Sequence, residues 1–589
     1  MIKHEDGAKE REDSASYNCI YKQPPVQPQQ QFTPESSTSS AEYGYSHRPS
    51  KSPSSSQLFK KFRLHLQRWR DSMGVDKEAK YDRQLRLWAV SGQSNLENSS
   101  ICLVNATSTG CEILKNLILP GIGSFTIIDN SKVNKSDLSS NFFLKTNDVG
   151  RKTAECVKRN LCELNSEVKG LAITESVEEI LSRDKLGKFW DHFNCVVVSD
   201  YVASLQELID ILWSKRIPVM VVNTIGFYGS LNLLSNETTV IETHDPSKLY
   251  DLRIDKPWKE LQEYSDAFEL DKLDDQEHAH VPYIVLFIKA LSHWKSQHAG
   301  NSPTTYQEKK LFKTYIESLS RNILLETNFA EAVEKCHRAF QKTSVPESIL
   351  NLIELSDADS WQLSSHYSIF WLFIAALKQF LANNDNMLPL PGNLPDMASN
   401  SVNYTLLAKI YRDKARRDQL AFTKEVHSIL AAQGKPQDLV SQESIATFCK
   451  NTQLLFVAIG SKSLNSSKFL EQFENESSDS LSIYMGILTY NAFIKQYHSK
   501  PSLENKNDFI AIYQELINPN ATTPISDTTE RIFEEILVHN TTKYHNLSSF
   551  MGGVASQEIL KLTTAQYIPL DNLFVFDGIK SSSERFKIE

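Results

Sequence analysis

Apolar residues from about residue 100 onwards occur in two spacings that predict alternating strands and helices. Ser100–Val104 is a nearly continuous apolar run, typical of a buried parallel strand. The helix expected next has its apolar residues at three- and four-residue spacing: Ile113, Leu114, Leu117 and Ile118. A second apolar run, Phe125–Ile128, ends at Asp129. A strand, a helix and a strand that ends in an acid form the order found in nucleotide-binding units.

The same alternation continues to about residue 250. We expect helices near 153–164 and 204–213, and strands near 171–174, 195–198 and 219–222. Strands that alternate with helices in this way predict an α/β fold with a mostly parallel, doubly wound sheet.

The pattern changes in the second half of the chain, which divides into three parts. Residues 76–257 carry the first part of the α/β domain, and 258–540 are rich in helix-forming residues with little glycine. In 541–589, a glycine-rich helix start at 550–560 and a strand at 572–577 return to the α/β pattern. The sequence therefore predicts an α/β domain split by a large, mostly helical insertion and completed by the C-terminus.

The N-terminal residues differ from the rest in composition. Residues 1–57 are rich in Ser, Pro and Gln and are expected to be disordered, because they carry too little apolar surface to offset chain entropy. Residues 58–75 form a basic lead-in with an apolar face of Leu58, Phe62, Leu66 and Trp69. This lead-in is either an anchor for a membrane or partner, or a segment that packs on the domain or has no structure. We favour the second interpretation.

Composition and charge exclude several classes of protein. The 589 residues carry a net charge of −9, which argues against a general nucleic-acid binder. No signal sequence or membrane-spanning run is evident, so we expect a soluble intracellular protein. The eight cysteines include no C-x-x-C pair, so no metal site is expected.

The turn between the first strand and helix departs from the phosphate-binding pattern G-x-G-x-x-G. The chain has Asn105-Ala106-Thr107-Ser108-Thr109-Gly110 there, so only the last glycine remains. The first glycine makes a tight turn, and the second allows backbone N–H groups to approach a phosphate. Thr107 places a β-branched side chain at that second position. The sequence predicts that the fold is kept and that the phosphate cradle is lost.

Several segments resemble the ubiquitin-like-protein-activating enzymes. They are Tyr81–Trp88, Asn105–Leu117, Leu119–Asp129, Asp251–Pro257, Leu394–Ala398, Tyr411–Ala415 and Phe550–Leu560. The resemblance runs from about residue 76 to the C-terminus and is greatest to the regulatory, non-catalytic halves of the heterodimeric enzymes of neddylation. It implies a Rossmann-like adenylation domain of the ThiF/MoeB type.

The resemblance also implies a reaction. In this family the C-terminal carboxylate of a ubiquitin-like protein attacks the α-phosphate of ATP, and the adenylate passes to a cysteine as a thioester. Measured against a catalytic half, the chain lacks the first two glycines (Asn105, Thr107), a second acid (Ser131), a phosphate-binding arginine (Ser140) and a lysine (Thr153). We therefore expect this chain to bind no cofactor, with ATP and Mg²⁺ bound by the catalytic partner.

Four further residues are candidates for a functional role. Asp129 lies where the family holds a ribose, but an acid at a strand end also caps loops, and we favour that structural role. Asp200 lies near the expected magnesium-positioning acid, one or two residues out of register. Cys336 and Cys449 lie in the region where activating enzymes carry the thioester cysteine, yet no family active-site motif surrounds either of them. We expect both cysteines to be structural.

Arg83 is the residue for which we expect a catalytic role. On a helix, Tyr81, Leu85 and Trp88 share one face, and Arg83 and Arg86 point away from it. The resemblance implies that Arg83 enters the ATP site of the partner in trans, where a guanidinium offers several donors to phosphate oxygens. The alternative is a solvated arginine or a surface ion pair.

The expected partners are the catalytic subunit of the activating enzyme and the ubiquitin-like protein, with no nucleic acid or membrane. Three alternatives remain open. A sumoylation-type regulatory subunit typically lacks a long helical insertion. A non-enzymatic scaffold has no need of Arg83, and an NAD-dependent oxidoreductase needs the glycines that Asn105 and Thr107 replace.

Overall fold

The computed structural model describes residues 79–244, 251–356, 368–475, 478–517 and 525–588. Residues 76–589 form one compact unit. The expectations for 1–57 and 58–75 concern residues outside the described ones.

An eight-stranded sheet organises the α/β part of the chain. The described residues contain ten strands, and all of them except β7 and β8 belong to this sheet. They are β1 (Ser100–Val104), β2 (Ser124–Ile128), β3 (Lys169–Ile173), β4 (Cys195–Ser199), β5 (Val219–Ile225), β6 (Tyr228–Leu234), β7 (Glu237–Val240), β8 (Phe456–Ile459), β9 (Leu573–Asp577) and β10 (Ser582–Phe586). The sheet order is β10-β9-β6-β5-β4-β1-β2-β3, and β7 pairs with β8 in a separate two-stranded sheet. The five strands β1 to β5 are parallel to one another, and β6, β9 and β10 continue the sheet beyond β5 in antiparallel pairs.

Helices cover both faces of this sheet. In the α/β part they are α1 (79–97), α2 (Ser108–Ile118), α3 (Thr153–Cys162), α4 (Val177–Arg183), α5 (Leu205–Ser214) and, near the C-terminus, α19 (His545–Thr564). Helices α2, α3 and α19 share a buried core with one face of the sheet, and α4 and α5 share a core with the other face. These layers confirm the predicted α/β, doubly wound fold.

The region between β7 and α19 is mostly helical, as predicted. Its helices are α6 (Lys259–Asp266), α7 (Asp275–His278), α8 (Tyr283–Gln297), α9 (Tyr306–Ser318), α10 (Thr327–Glu334), α11 (Glu347–Ser356), α12 (Ser368–Asn383), α13 (Ser401–Ala432), α14 (Gln442–Asn451), α15 (Ser467–Asn475), α16 (Asp479–Tyr497), α17 (Lys506–Ile517) and α18 (Asp527–Val538). Three hydrophobic cores organise these helices.

The three cores of the helical region differ in their relation to the sheet. The first lies among α6, α8, α9, α10 and α13, and the second among α11, α12, α13 and α14. The third joins α16, α17 and α18 to sheet residues such as Tyr228 and Val575. The segment predicted as one insertion, 258–540, therefore contains a part that covers the α/β sheet itself.

The close packing of α2 on α19 depends on glycine. A Cβ atom built on Gly552 would lie 2.6 Å from Cβ of Glu112, so only glycine allows this approach. The C-terminal helix is thereby held against the turn that follows β1, where the candidate site lies.

Candidate functional site

Asn105 makes the turn after β1 that a glycine makes in the phosphate-binding pattern. Its φ is +66°, in the left-handed region that Asn tolerates better than most residues. Its side-chain amide donates to the carbonyl oxygens of Ser199 and Tyr201, at 3.1 and 3.2 Å. The tight turn is therefore present without glycine, and the Asn105 side chain ties it to the loop after β4.

Hydroxyl groups of the chain itself occupy the amino end of α2. Thr107 caps the helix by accepting from the Gly110 N–H at 3.2 Å, and its Oγ1 lies 2.5 Å from Oγ of Ser199. Ser108 and Thr109 are buried. Their hydroxyls contact Ser548 Oγ at 2.8 and 3.1 Å, respectively. An anion at this helix end would have to displace these contacts.

Gly110 is required by packing and not by a ligand. A Cβ atom at this position would lie 2.8 Å from Cδ1 of Leu103 and 3.0 Å from the carbonyl oxygen of Asn105. Contacts this short force neighbouring atoms to move. The glycine that the chain keeps is thus the one needed to seat α2 on β1.

Asp129 at the end of β2 is buried and bonded to the backbone. One carboxylate oxygen accepts from the N–H of Ala106 at 2.8 Å, and the other accepts from the N–H of Ser131 at 2.8 Å. These two bonds fix the loops after β1 and β2 relative to each other. Both oxygens have a protein donor, as a loop-capping acid requires.

The residues that replace the acid and the lysine of a catalytic half contact each other. Oγ of Ser131 lies 2.8 Å from Oγ1 of Thr153, and the Thr153 N–H donates to the Ser131 carbonyl at 3.1 Å. Ser140, at the position of the phosphate-binding arginine, is buried, and its carbonyl accepts from Nδ1 of His545 at 2.9 Å. At these three positions the chain has neutral residues that form hydrogen bonds within the chain.

Asp200 forms an ion pair within the chain. Its φ is +65°, and its Oδ2 lies 2.7 Å from Nζ of Lys543, while Oδ1 accepts from the Thr224 N–H at 3.2 Å. Lys543 thus offsets the charge of the acid nearest to the expected magnesium-positioning place. In the part of the chain that the structure describes, no group of three or more His, Cys, Asp or Glu side chains is placed to hold a metal ion.

Helix α1 has the two faces that the sequence predicts. Tyr81 and Trp88 are buried, whereas Arg83 is exposed. Among the described residues Arg83 has neither an ion pair nor a side-chain hydrogen bond. Arg86 differs, because its guanidinium pairs with Asp82 at 2.9 Å. Arg83 is therefore the cation of this helix that remains available to another molecule.

Two side chains from the segment after α19 hold α1 at a bend. Ala89 has a φ of +55° within the helix, which disturbs the regular backbone geometry. The buried Gln566 side chain donates to the Trp88 carbonyl at 3.0 Å, and the Tyr567 hydroxyl donates to the Leu87 carbonyl at 3.5 Å. The C-terminal part of the fold thus fixes the direction of the helix that carries Arg83.

Both cysteines considered for a thioester are buried. Burial raises the pKa of the Cys336 thiol to about 11, against a small opposing effect of Lys313. Burial raises the pKa of Cys449, on α14, to about 12. A reactive cysteine needs exposure and a lowered pKa, and neither thiol has these properties.

The sequence identifies the residues that depart from the pattern of a catalytic half, but it does not predict which side chains they contact. Ser548, Thr224 and Lys543 complete the site. Their side chains contact Ser108, Thr109 and Asp200, respectively, each more than 100 residues away in the chain. No local pattern marks them. The hydroxyl of Ser548 on α19 was the least predictable, because it lies 440 residues from Ser108.

The class of the protein follows from this fold and from the match to a family model. The ThiF family model matches residues 81–589, so the chain belongs to the ThiF family. None of the described helices combines the length and apolar character needed to cross a membrane.

Relatives within that class give a narrower family. The chain is 34% identical over 534 residues to the NEDD8-activating enzyme E1 regulatory subunit of Xenopus laevis, with 87% of this chain and 99% of that protein covered. It is 32% identical over 554 residues to the NEDD8-activating enzyme E1 regulatory subunit AXR1 of Arabidopsis thaliana, covering 90% and 100%. The Saccharomyces cerevisiae regulatory subunit is 31% identical over 532 residues, covering 86% and 100%.

The chain therefore belongs to the family of NEDD8-activating enzyme E1 regulatory subunits. The expected resemblance to regulatory subunits of neddylation is confirmed. The sumoylation-type alternative has no support among these relatives.

Proposed function

We propose that this chain assembles with a catalytic subunit into a heterodimeric activating enzyme for a NEDD8-type ubiquitin-like protein, and that it binds no ATP itself. The regulatory role follows from the family. The heterodimer and the ubiquitin-like substrate are inferred from the names of the relatives.

The observation that carries the second half of the proposal is the occupied amino end of α2. The hydroxyls of Thr107, Ser108 and Thr109 fill the place of a phosphate cradle and contact side chains from β4, β5 and α19. The residues present do not fit a nucleotide triphosphate. Charge-assisted hydrogen bonds contribute about 1.5–3 kcal/mol each, and several are missing here together.

Calorimetry with ATP and Mg²⁺ tests this part directly. The isolated chain should give no binding heat, whereas the reconstituted pair should bind ATP under the same conditions. Saturable binding in the micromolar range to the chain alone would contradict the proposal. The same filled helix end opposes an NAD-dependent oxidoreductase, which would need that space for a pyrophosphate.

We propose further that Arg83 reaches the ATP site of the catalytic subunit in trans. Three features support this role: exposure, the lack of an intramolecular partner among the described residues, and a helix held firmly by Tyr81 and Gln566. A guanidinium stays charged and donates several hydrogen bonds to phosphate oxygens. A scaffold without a role in the reaction would not need such a residue.

Assembly and location complete the proposal. Co-purification with a catalytic subunit, followed by sequencing of that subunit, tests the heterodimer and identifies the branch of the family. The described cysteines are free thiols, which fits a reducing compartment, and we place the protein in the cytoplasm and nucleus. Imaging of a tagged chain checks this location.

A further inference from the structure

A cavity of about 290 Å³ lies where the first and second cores of the helical region meet. Leu252, from the first core, and Leu388, from the second, line it on opposite sides. The segment Asp251–Pro257, which the proposed function leaves unexplained, supplies part of its wall. We name this space the junction cavity.

The wall of the junction cavity contains a buried arginine in a strained conformation. Arg253 has a φ of +48°, and only 3% of its surface is exposed. Its Nε donates to Oδ2 of Asp251 at 3.2 Å, and its Nη2 donates to the carbonyl oxygen of Leu388. Asp251 therefore offsets the charge of Arg253, and the guanidinium links the two cores. Strained residues persist only where the surroundings hold them, and they are frequent at binding sites.

Two more cations line the same cavity. Arg338 is half-buried, and its Nη1 donates to the hydroxyl of Tyr283 at 2.9 Å, which fixes the direction of the side chain. Lys342 is exposed, and within the described residues no carboxylate pairs with it. The carboxylate of Asp255, close by, is engaged by the backbone and hydroxyl of Thr343 at 2.9 and 2.5 Å.

We propose that the junction cavity binds a phosphate group, either as inorganic phosphate or as a phosphorylated side chain. The cavity lining carries three cations and one carboxylate, and that carboxylate is paired with Arg253. Ser344 and Gln453 add neutral donors to the wall. A phosphorylated side chain carries a charge of about −1.5 to −2 at pH 7. Converging charged donors bind the oxygens of a phosphate group preferentially. The bound group bridges the two helical cores, independently of the proposed role in NEDD8 activation.

The test compares two double variants of the full chain. Arg338→Gln with Lys342→Gln removes two cations from the cavity. Arg416→Gln with Lys310→Gln removes the same charges from exposed positions on α13 and α9 that do not line it. Calorimetry with inorganic phosphate, at constant ionic strength, measures binding to each. We expect saturable binding to the unchanged chain and to the control, and at least tenfold weaker binding to the cavity variant.

Two further measurements keep the proposal open to contradiction. Lys342→Gln alone changes an exposed side chain, so it should fold normally and still weaken phosphate binding severalfold. Equal phosphate binding by the cavity variant and the control would overturn the proposal, because a general salt effect acts on both. A phosphoserine peptide is the second probe. Tighter binding of the peptide than of phosphate assigns the site to a phosphorylated segment, and equal binding assigns it to the free ion.

Discussion

Helices α1 and α2 lie in the same α/β domain and use their polar residues in opposite ways. At the amino end of α2, Thr107 and Ser108 are turned inwards and bonded to other parts of the chain. On the outer face of α1, Arg83 is exposed and has no partner among the described residues. The polar groups at the amino end of α2 serve internal packing. The outer face of α1 presents a charged group to the surface.

The comparison shows that groups of the chain itself can satisfy the donors of this helix end. A phosphate cradle leaves backbone donors open for an anion, and such donors are costly when they are buried and unpaired. In this chain the hydroxyl of Thr107 satisfies one donor, and Asp129 satisfies the N–H of Ala106. Both donors are therefore satisfied within the chain.

The largest expected effect is that of removing the Arg83 side chain from the exposed face of α1. Arg83→Ala should slow ATP–pyrophosphate exchange by the reconstituted pair by about ten- to a thousandfold, because a cation is lost where charge redistributes. Arginine fingers of hydrolysing enzymes supply up to about 10³–10⁵ in rate, and here the cations of the partner remain. Arg83→Lys should rescue only part of the rate, because the lysine ammonium cannot reproduce the planar array of donors of a guanidinium.

Assembly is the control for that experiment. Arg83 lies on the exposed face of α1, so its truncation should cost little folding energy, and gel filtration should show an intact complex. Arg86→Ala is a matched variant on the same helix, and it loses only an exposed ion pair with Asp82. An intact Arg83→Ala complex with unchanged exchange would leave the subunit a scaffold.

A smaller effect, on stability, distinguishes Gly110, which packs α2 on β1, from Gly553 on α19, which has open space around it. Gly110→Ala places a methyl group 2.8 Å from Leu103 and should destabilise the fold by about 1–3 kcal/mol. Gly553→Ala lies in α19 with no atom within 4 Å of the new methyl group, so it should stabilise by about 0.5–1 kcal/mol. Denaturant unfolding measures both variants. Changes of the same sign would contradict the packing role of Gly110.

Much of the fold could be predicted because its central strands and helices have strong local patterns. The runs at β1, β2 and β4 are buried on both faces, and α2 has a clear apolar face. The pattern at the turn also predicted a helix start near Gly110, and α2 begins at Ser108 with Thr107 as its cap. It did not predict that Asn105 would adopt the left-handed conformation and retain the tight turn.

Strands β6 and β10 were missed for physical reasons. Strand β6 carries buried Ser230 and Asn232, and the Asn232 amide is satisfied by the Tyr484 hydroxyl from α16, so its polarity conceals its burial. For β6 the deciding contact comes from a distant part of the chain, which no local spacing records. Strand β10 pairs with the neighbouring β9 in a hairpin, and its mostly exposed, polar residues give no alternating apolar pattern.

Substitution of the buried cysteines should have almost no effect on thioester formation. With pKa values of about 11 and 12, the thiolate fraction of Cys336 and Cys449 at pH 7 is on the order of one in ten thousand or less. Cys336→Ala and Cys449→Ala should leave the adduct on the partner subunit, as seen on a non-reducing gel. A reducible adduct on this chain that either change removes would contradict the assignment.

The smallest effect is expected for removal of residues 1–70. The ThiF family model begins at residue 81, and the relatives are matched over 98–100% of their own length by only 86–90% of this chain. We therefore expect that the shared function does not require the additional residues, because a polar, low-complexity composition contributes little to a packed interface. Exchange and partner binding by the truncated chain should stay within about twofold of the full-length values.

Removal of 1–57 alone is the matched control, since it keeps the basic lead-in. If partner binding is lost on removal of 1–70 but kept on removal of 1–57, Leu58–Arg70 is an anchor. The surface that contacts the partner would then include this segment as well as α1.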